Sequence, residues 1–577
     1  MLAGCTPWPE EYARRYRAAG YWEDITLDEM LRRSARARPD ALAIVEGDRA
    51  LTYAQLVEQV ERLAAHLAAL GLRPRERVIF QLGNSTELVC TFFALMRVGA
   101  IPVMALPAHR HAEIGRFARH AEAVAYFVPE STPGFDFRAL AQTVQREVPS
   151  LRLIVEAGSR GAQAPGIVAL GSLLATPAPA EARSRLAPVP PCEADDVALM
   201  MLSGGTTGLP KFIPRTHNDY LYNCRQSGAV AGFGPDTVYL AVLPMAHGYT
   251  LASPGILAAL AHGGRVVIAP DHRPETVFPL IEKERVTIVC GGVPLAVSWL
   301  ASDGPERADL ASLRYYMNGG ARLLPELRRQ IEQRLGCTYI ESYGTGEGLL
   351  NQTRPDDPEH IRFHSSGRPV SDGDEIKVID EAGNEVPEGT VGELAARGPY
   401  TVRGYYKAPE ASAAAFTADG YYRMGDAVRQ VGGYLYLEGR IKDLINRGGE
   451  KVSSEEVENH LIAHPSIHNV CVVAMPDPLY GERACAFVIP RAGATLEFDA
   501  MKRFLVEREI AKFKLPERLE LVESFPLSPA GKILRRELRA IIAAKIEAEQ
   551  AAQGGAREIT ANRPGAPGTT QDEGDCR

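Results

Sequence analysis

Leu202-Ser-Gly-Gly-Thr-Thr-Gly-Leu-Pro-Lys211 follows an apolar run, Asp195–Leu202, that reads as a strand. Gly204, Gly205 and Gly208 let the backbone approach an anion with no Cβ in the way. Ser203, Thr206 and Thr207 add hydroxyl donors and Lys211 adds a cation. Successive backbone N–H groups in such a loop form an anion-binding concavity. A Walker A loop needs G-x4-G-K-[ST], and a dinucleotide loop needs G-x-G-x-x-G opening a helix. Neither string is present in this loop. A bare surface turn explains a pair of glycines, but not three glycines, three hydroxyls and a lysine within ten residues of a strand.

Upstream of this loop, apolar residues recur at helical spacing over Tyr53–Leu70 (Leu56, Val60, Leu63, Leu67), with Gly71 as a stop signal. Arg77–Leu82 reads as a buried strand, Glu87–Arg97 as a helix and Ala100–Met104 as a strand. Downstream the pattern returns with Arg265–Ala269 (strand), Pro274–Lys283 (helix, with Pro274 at its first position) and Val286–Cys290 (strand). Such alternation predicts α/β architecture, a large N-terminal domain of doubly wound βα sheets. Ala157–Pro191, rich in Ala, Pro and Gly, reads as a surface excursion, and Glu375–Val402 as a small β subdomain. The character changes near Gly439. Helices at Ser454–Ala463 and Ala500–Ile510 flank strands at Val470–Ala474 and Ala484–Val488, a small α+β C-terminal domain. The expected domains are 1–440, 441–545 and a disordered tail over 546–577, because the end of the chain is Gly-, Ala- and Thr-rich without apolar periodicity.

At 577 residues the chain needs more than one core, since domains hold roughly 100–200 residues. A net charge of -8 and a pI near 6.0 argue against nucleic acid as a partner. The nine cysteines are scattered without zinc or disulfide spacing and read as buried thiols in a reducing cytosol. The N-terminal segment has no apolar core of a signal peptide, and no uncharged run of about 18 apolar residues spans a membrane. The expected setting is the cytoplasm.

SGGTTGLPK resembles the nucleotide loop of the adenylate-forming superfamily, which comprises acyl-CoA synthetases, adenylation domains of nonribosomal peptide synthetases and luciferases. Its continuation, Phe212-Ile-Pro-Arg-Thr-His-Asn-Asp-Tyr220, is similar to the stand-alone aryl acid–AMP ligases of the 2,3-dihydroxybenzoate and salicylate type. The resemblance runs from about Tyr12 to Ile541 through ordered motifs. It implies ATP and Mg²⁺ as cofactors, with Ser203, Gly204, Gly205, Thr206, Thr207, Gly208 and Lys211 on the phosphates. In Ser342-Tyr-Gly-Thr-Gly-Glu-Gly348 it implies Glu347 as the Mg²⁺ ligand, with Ser342, Tyr343, Gly344 and Thr345 on the nucleotide. Oxygen ligands from one or two carboxylates plus phosphate suit Mg²⁺. Gly320 is expected against adenine, and Asp426 in Tyr422-Arg-Met-Gly-Asp426 on the ribose hydroxyls, where an ionised carboxylate is a strong acceptor.

Gly439-Arg-Ile-Lys-Asp-Leu-Ile-Asn-Arg-Gly-Gly-Glu-Lys451 resembles the family hinge to a mobile C-terminal domain, with Arg440 near the ribose and Lys442 at the pivot. Gly448 and Gly449 would line the thiol side. Ser528-Pro-Ala-Gly-Lys-Ile-Leu534 resembles the loop of the catalytic lysine, which places Lys532 between substrate carboxylate and α-phosphate. Lys532, Glu347 and Lys442 are thus the expected catalytic residues.

Pro244-Met-Ala-His-Gly-Tyr-Thr-Leu-Ala-Ser-Pro254 is similar to the acid-pocket segment of aryl acid ligases. His247, Gly248, Tyr249 and Ser253, with Gly320 and Gly346, are the implied acid-binding residues. The Asp that holds an α-ammonium in amino acid activators is missing, which disfavours an α-amino acid. Gly248 stands where the dihydroxybenzoate and salicylate enzymes carry Asn, which removes a polar contact and is expected to leave more room. The implied substrate is an aryl carboxylic acid: a substituted benzoate, a hydroxypicolinate or a bicyclic acid. The implied acceptor is the phosphopantetheine thiol of an aryl carrier protein, with coenzyme A as the alternative.

Overall fold

The computed structural model describes residues 1–132, 134–158, 166–179, 186, 192–203, 210–448, 450–508, 510–528 and 533–561. The chain divides into two compact units, Met1–Glu438 and Gly439–Arg577.

In the first unit, alternating strands and helices build the two mainly parallel sheets expected of an α/β protein. One sheet has seven strands among the described residues, ordered Ile167–Ala169, Leu153–Glu156, Ala125–Val128, Arg77–Phe80, Ile101–Met104, Val197–Leu202 and Phe212–Thr216. All neighbours are parallel except the last pair, which is a hairpin. The strands Ile101–Met104 and Ala125–Val128 are buried at every residue, as expected where helices cover both faces of a parallel sheet. The second sheet has nine strands and runs parallel from Leu42–Glu46 through Arg265–Ile268, Val238–Ala241, Ile288–Gly291 and Tyr315–Gly319 to Thr338–Thr345. Antiparallel strands close both of its edges. The helix Tyr53–Ala69 starts at a capping box between Thr52 and Gln55 and buries Leu56, Val60, Leu63 and Leu67. The helix Thr86–Val98 starts at Ser85 and stops at Gly99, whose φ of 80° is left-handed. A four-stranded antiparallel sheet, Glu375–Ile379, Gly392–Arg397, Tyr422–Val431 and Tyr434–Arg440, is the β subdomain.

Within 157–191, read from composition as surface excursion, Ile167–Ala169 is the edge strand of the first sheet and Leu170–Ala175 a short helix. The burial of Ile167, Ala169, Leu170 and Leu174 explains the difference. Apolar runs this short leave no period to read.

In the second unit the period-two rule of strands is plain. Val470, Val472, Ala474, Ala484, Ala486 and Val488 point to one side of the strands Ile467–Asp477 and Gly481–Pro490. There they pack with Val457 and Leu461 of Ser454–Leu461 and with Met501 and Leu505 of Phe498–Glu507. Cys471, Val473, Met475, Cys485 and Phe487 point to the other side and meet Leu538 and Ile542. Those two, with Ile546 beside them, lie on the helix Arg535–Ala561. Four-residue spacing puts them on one stripe. The helix extends to Ala561, over residues where composition suggested a tail; residues 562–577 lie outside the described residues. Arg535 anchors the start of the helix through both Nη atoms on Glu458, at 2.6 and 2.7 Å, and on Val472 O. Truncating Ile542 to Ala is therefore expected to destabilise the second unit by about 2–5 kcal/mol, measured as a lower urea midpoint for that unit's unfolding transition.

Candidate active site

Ligands of open α/β sheets bind beyond the carboxyl ends of the strands, and the expected site residues of the first unit cluster there. Ser203 follows Val197–Leu202, and Lys211 precedes Phe212–Thr216. The neck of the loop is closed twice: the Ser203 N–H donates to Lys211 O, and the Lys211 N–H donates to Ser203 Oγ, each at 2.9 Å. Gly204, Gly205, Thr206, Thr207 and Gly208 lie outside the described residues, as do Gly449 and Lys532.

Thr338–Thr345 and Gly348–Gln352 form the hairpin that carries Glu347. Gly348 has a φ of 135°, and a Cβ there would sit 2.4 Å from Thr401 Cα, so only glycine fits. The segment Pro399–Tyr406 straps this hairpin. The Val402 N–H donates to Glu347 O at 2.7 Å, and the Leu350 N–H donates to Tyr400 Oη at 3.0 Å. Tyr405 Oη donates to Glu347 Oε1 at 2.9 Å. Tyr406 N–H donates to Phe212 O at 2.9 Å, which ties the strap to the strand leaving the phosphate loop. Lys211 Nζ lies 4.5 Å from the centre of the Tyr405 ring. Burial, with the Glu347 charge adding to it, holds the Tyr405 phenol above its ordinary range.

Arg215 joins the same parts from behind. It is buried with Asp219, its Nε 2.7 Å from Asp219 Oδ1. Its Nη1 donates to Gly346 O at 2.9 Å and its Nη2 to Tyr400 O at 3.0 Å. The Thr216–Asp219 capping box starts the helix His217–Val230. In the same string, His217 Nδ1 accepts from Leu27 N–H, and Asn218 holds Asp24 and Asp195.

Among the residues expected to meet the nucleotide, Gly320 takes a left-handed φ of 85° just after Tyr315–Gly319. Ser342, Tyr343, Gly344 and Thr345 end the neighbouring parallel strand. Tyr343 Oη donates to Asp426 Oδ2 at 2.6 Å, so the strand end and the buried Asp426 meet. Thr345 Oγ1 donates to Gly348 O and braces the hairpin. Glu347 is 8% exposed, and no cluster of three or more His, Cys, Asp or Glu is set for a metal among the described residues. One oriented carboxylate fits Mg²⁺ that takes its other ligands from phosphate and water.

Among the residues expected to bind the acid, His247 caps the short helix Gly248–Ala252, its Nδ1 accepting from Tyr249 N–H. Tyr249 Oη donates to Met317 O at 3.0 Å, and its ring lies so close to Gly319 that a Cβ there would sit 2.6 Å from it. Ser253 Oγ accepts from Asn223 Nδ2. Gly346 faces Ile213, whose Cδ1 is 3.0 Å from where a Cβ would be. Beside Gly248, Met201 Cε lies 3.2 Å from where a Cβ would stand.

Arg440 and Lys442 belong to the second unit. Lys442 sits in the turn Ile441–Asp443, where its carbonyl accepts from Arg539 Nη1 at 2.8 Å.

Arg215, Tyr400 and Tyr405 were not singled out individually in the sequence. Arg215 was legible only within the Arg-Thr-His-Asn-Asp string, and the two tyrosines sit in a segment without periodicity. Asp374 was equally silent. Its Oδ2 accepts from Tyr400 Oη at 2.5 Å while its Oδ1 is buried without a partner. Burial pushes this carboxyl up to about 8, against the lowering effect of the Tyr400 and Ser371 hydrogen bonds. The folded state thus keeps a proton that the unfolded chain releases near pH 4. This contribution to stability falls as pH rises from about 4 to about 8 and then levels. Asp374→Asn is expected to gain on the wild type by roughly 1 kcal/mol per pH unit across that window; parallel stability–pH curves from urea unfolding would refute the assignment.

Residues 31–406 match the AMP-binding enzyme family, and residues 456–532 match the AMP-binding enzyme C-terminal domain. The 2,3-dihydroxybenzoate-AMP ligase of Bacillus subtilis (strain 168) is 46% identical over 95% of this chain and 99% of its own length. The 2-hydroxy-7-methoxy-5-methyl-1-naphthoate–CoA ligase of Streptomyces carzinostaticus is 44% identical over 93% of this chain and 97% of its own. Among solved structures, the anthranilate CoA ligase AuaEII in complex with anthranoyl-AMP aligns with a TM-score of 0.82 at 26% identity, covering 91% of this chain and 98% of that one.

Proposed function

The chain belongs to the AMP-binding enzyme family, and on that premise we propose that it activates an aryl carboxylic acid with ATP and passes the aryl group to a phosphopantetheine thiol of a carrier protein. The observation that carries this reading is the convergence of Lys211, Glu347, Tyr343 and Asp426 at the carboxyl ends of parallel strands, beside the His247–Ser253 segment. In the first step a carboxylate oxygen attacks the α-phosphorus, and the bond to pyrophosphate breaks. In the second, the thiol sulfur attacks the acyl carbon, AMP leaves with the electron pair, and the thiol proton goes to solvent. Transfer of this kind depends on positioning and on cations placed where charge develops.

The phosphate loop and Lys211 hold the triphosphate, and Asp426 accepts from the ribose hydroxyls, with Tyr343 keeping its carboxylate aimed. Gly320, Ser342, Gly344 and Thr345 form the floor under the base. Mg²⁺, when bound, would be held by Glu347 and would offset negative charge on the phosphates. Lys532 supplies the cation between carboxylate and α-phosphate, Lys442 is the pivot of the hinge, and Arg440 serves the ribose. The domains that carry these roles are 1–440 and 441–545, and the working site is the cytoplasm, where ATP is made.

The names of the relatives support an aryl acid: dihydroxybenzoate, a naphthoate and anthranilate. Two of them name coenzyme A, which keeps free coenzyme A as the second acceptor to test. Mass spectrometry of products from ATP, an acid panel, and either holo carrier protein or coenzyme A separates the two. If no acid releases pyrophosphate, the proposal fails.

Lys532→Ala is expected to slow adenylation at least about 10²-fold while sparing thioester formation from supplied adenylate; normal pyrophosphate exchange in that variant would remove Lys532 from the mechanism. Gly248→Asn places an amide against Met201 and restores a polar contact. It is expected to raise preference for salicylate and 2,3-dihydroxybenzoate over bulkier acids by about tenfold or more, measured by pyrophosphate exchange across the panel.

A further inference from the structure

Tyr405 meets two charged groups of the site at once, Glu347 and Lys211. Its hydroxyl donates to Glu347 Oε1 at 2.9 Å, and its ring face carries the Lys211 ammonium at 4.5 Å from the centroid. The residue is 4% exposed. Its own N–H donates to Ser412 Oγ at 2.9 Å, and the next N–H donates to Phe212 O, so its backbone is held on both sides. Tyr422 Oη lies 3.4 Å from Tyr405 Oη, the second hydroxyl at this corner.

A phenol–carboxylate hydrogen bond is charge-assisted and directional. It fixes Glu347 Oε1, and the Tyr422 hydroxyl bears on the same carboxylate. An ammonium over an aromatic face is held weakly, enough to place it and too little to trap it against a polyphosphate. A lysine and a glutamate this near would otherwise attract each other. The ring instead keeps the ammonium over its face and the carboxylate at its hydroxyl edge.

We propose that Tyr405 is a positioning residue for adenylation, which aims Glu347 at the metal and rests Lys211 on its ring until the triphosphate draws it away. This rests on the reading of Glu347 as the metal-holding carboxylate, so the test carries both variants. Calorimetric titration with a non-hydrolysable ATP analogue is run across a series of Mg²⁺ concentrations for the wild type, Tyr405→Phe and Glu347→Gln. Phe keeps the ring and removes only the hydroxyl.

Tyr405→Phe is expected to need about tenfold more Mg²⁺ to reach half of the metal-dependent gain in analogue affinity, the scale of one hydrogen bond to a charged group. Its metal-free affinity should stay at the wild-type value, because the ring still carries Lys211. The gain is a ratio taken within one variant, so a change in folded fraction does not enter it. A wild-type Mg²⁺ midpoint in Tyr405→Phe, with the gain lost in Glu347→Gln, overturns the role of Tyr405 alone. A gain left intact in Glu347→Gln overturns the premise and the proposal together.

Discussion

The buried pair of Arg215 and Asp219 is the interaction on which the rest of the site depends. Burying two charges costs several kcal/mol per ion unless geometry and further hydrogen bonds compensate. Here they do. The guanidinium spends Nε on Asp219, Nη1 on Gly346 O and Nη2 on Tyr400 O. The carboxylate accepts from Thr216 N–H and Thr216 Oγ1 as well. Asp219 lies four residues after Arg215, so the pair is local, while the carbonyls it holds are 131 and 185 residues away. One short string after the phosphate loop thereby sets the register of the glutamate hairpin and of the strap that crosses it.

That register leaves little slack. At Gly348 the strap comes so near that a Cβ would overlap Thr401 Cα, and at Gly319 the Tyr249 ring fills the place of a side chain. Backbone approach of this kind puts the strap's N–H and hydroxyl donors in reach of Glu347, whose carbonyl and carboxylate are both taken up by it. The carboxylate is thus oriented by the protein itself, which, for the proposed role of Glu347, is the condition under which a charge stabilises a transition state without reorganising first.

Sequence periodicity carried the layered part of the molecule. Helical and strand spacings placed Tyr53–Ala69, Thr86–Val98, Pro274–Glu284 and the two long strands of the second unit within a few residues of their ends. The motif residues Glu347, Asp426, His247 and Ser253 were legible because glycines and hydroxyls around them form recognisable strings. Tyr400, Tyr405 and Asp374 were not. Their partners lie far along the chain, and an irregular strap has no period that would mark a buried tyrosine as a bridge. Met201 was hidden for a simpler reason: it reads as one more apolar residue of a strand, and only packing shows that its methyl group stands beside Gly248.

That packing bears on how the acid is chosen. A pocket that hydrogen-bonds a substrate group rejects an analogue lacking it by 10⁴-fold or more, whereas an apolar wall sorts ligands by shape, at about 1–3 kcal/mol per methylene. Beside Gly248, which offers no side chain, the Met201 methyl lies 3.2 Å from where a Cβ would stand, and methionine is among the most adaptable of fillers. On the proposed reading of this segment as the acid pocket, selectivity beside Gly248 comes from volume rather than from an ortho hydroxyl. Ring systems of different width then compete within about one to two orders of magnitude, and the polar anchoring of the acid falls to His247, Tyr249 and Ser253.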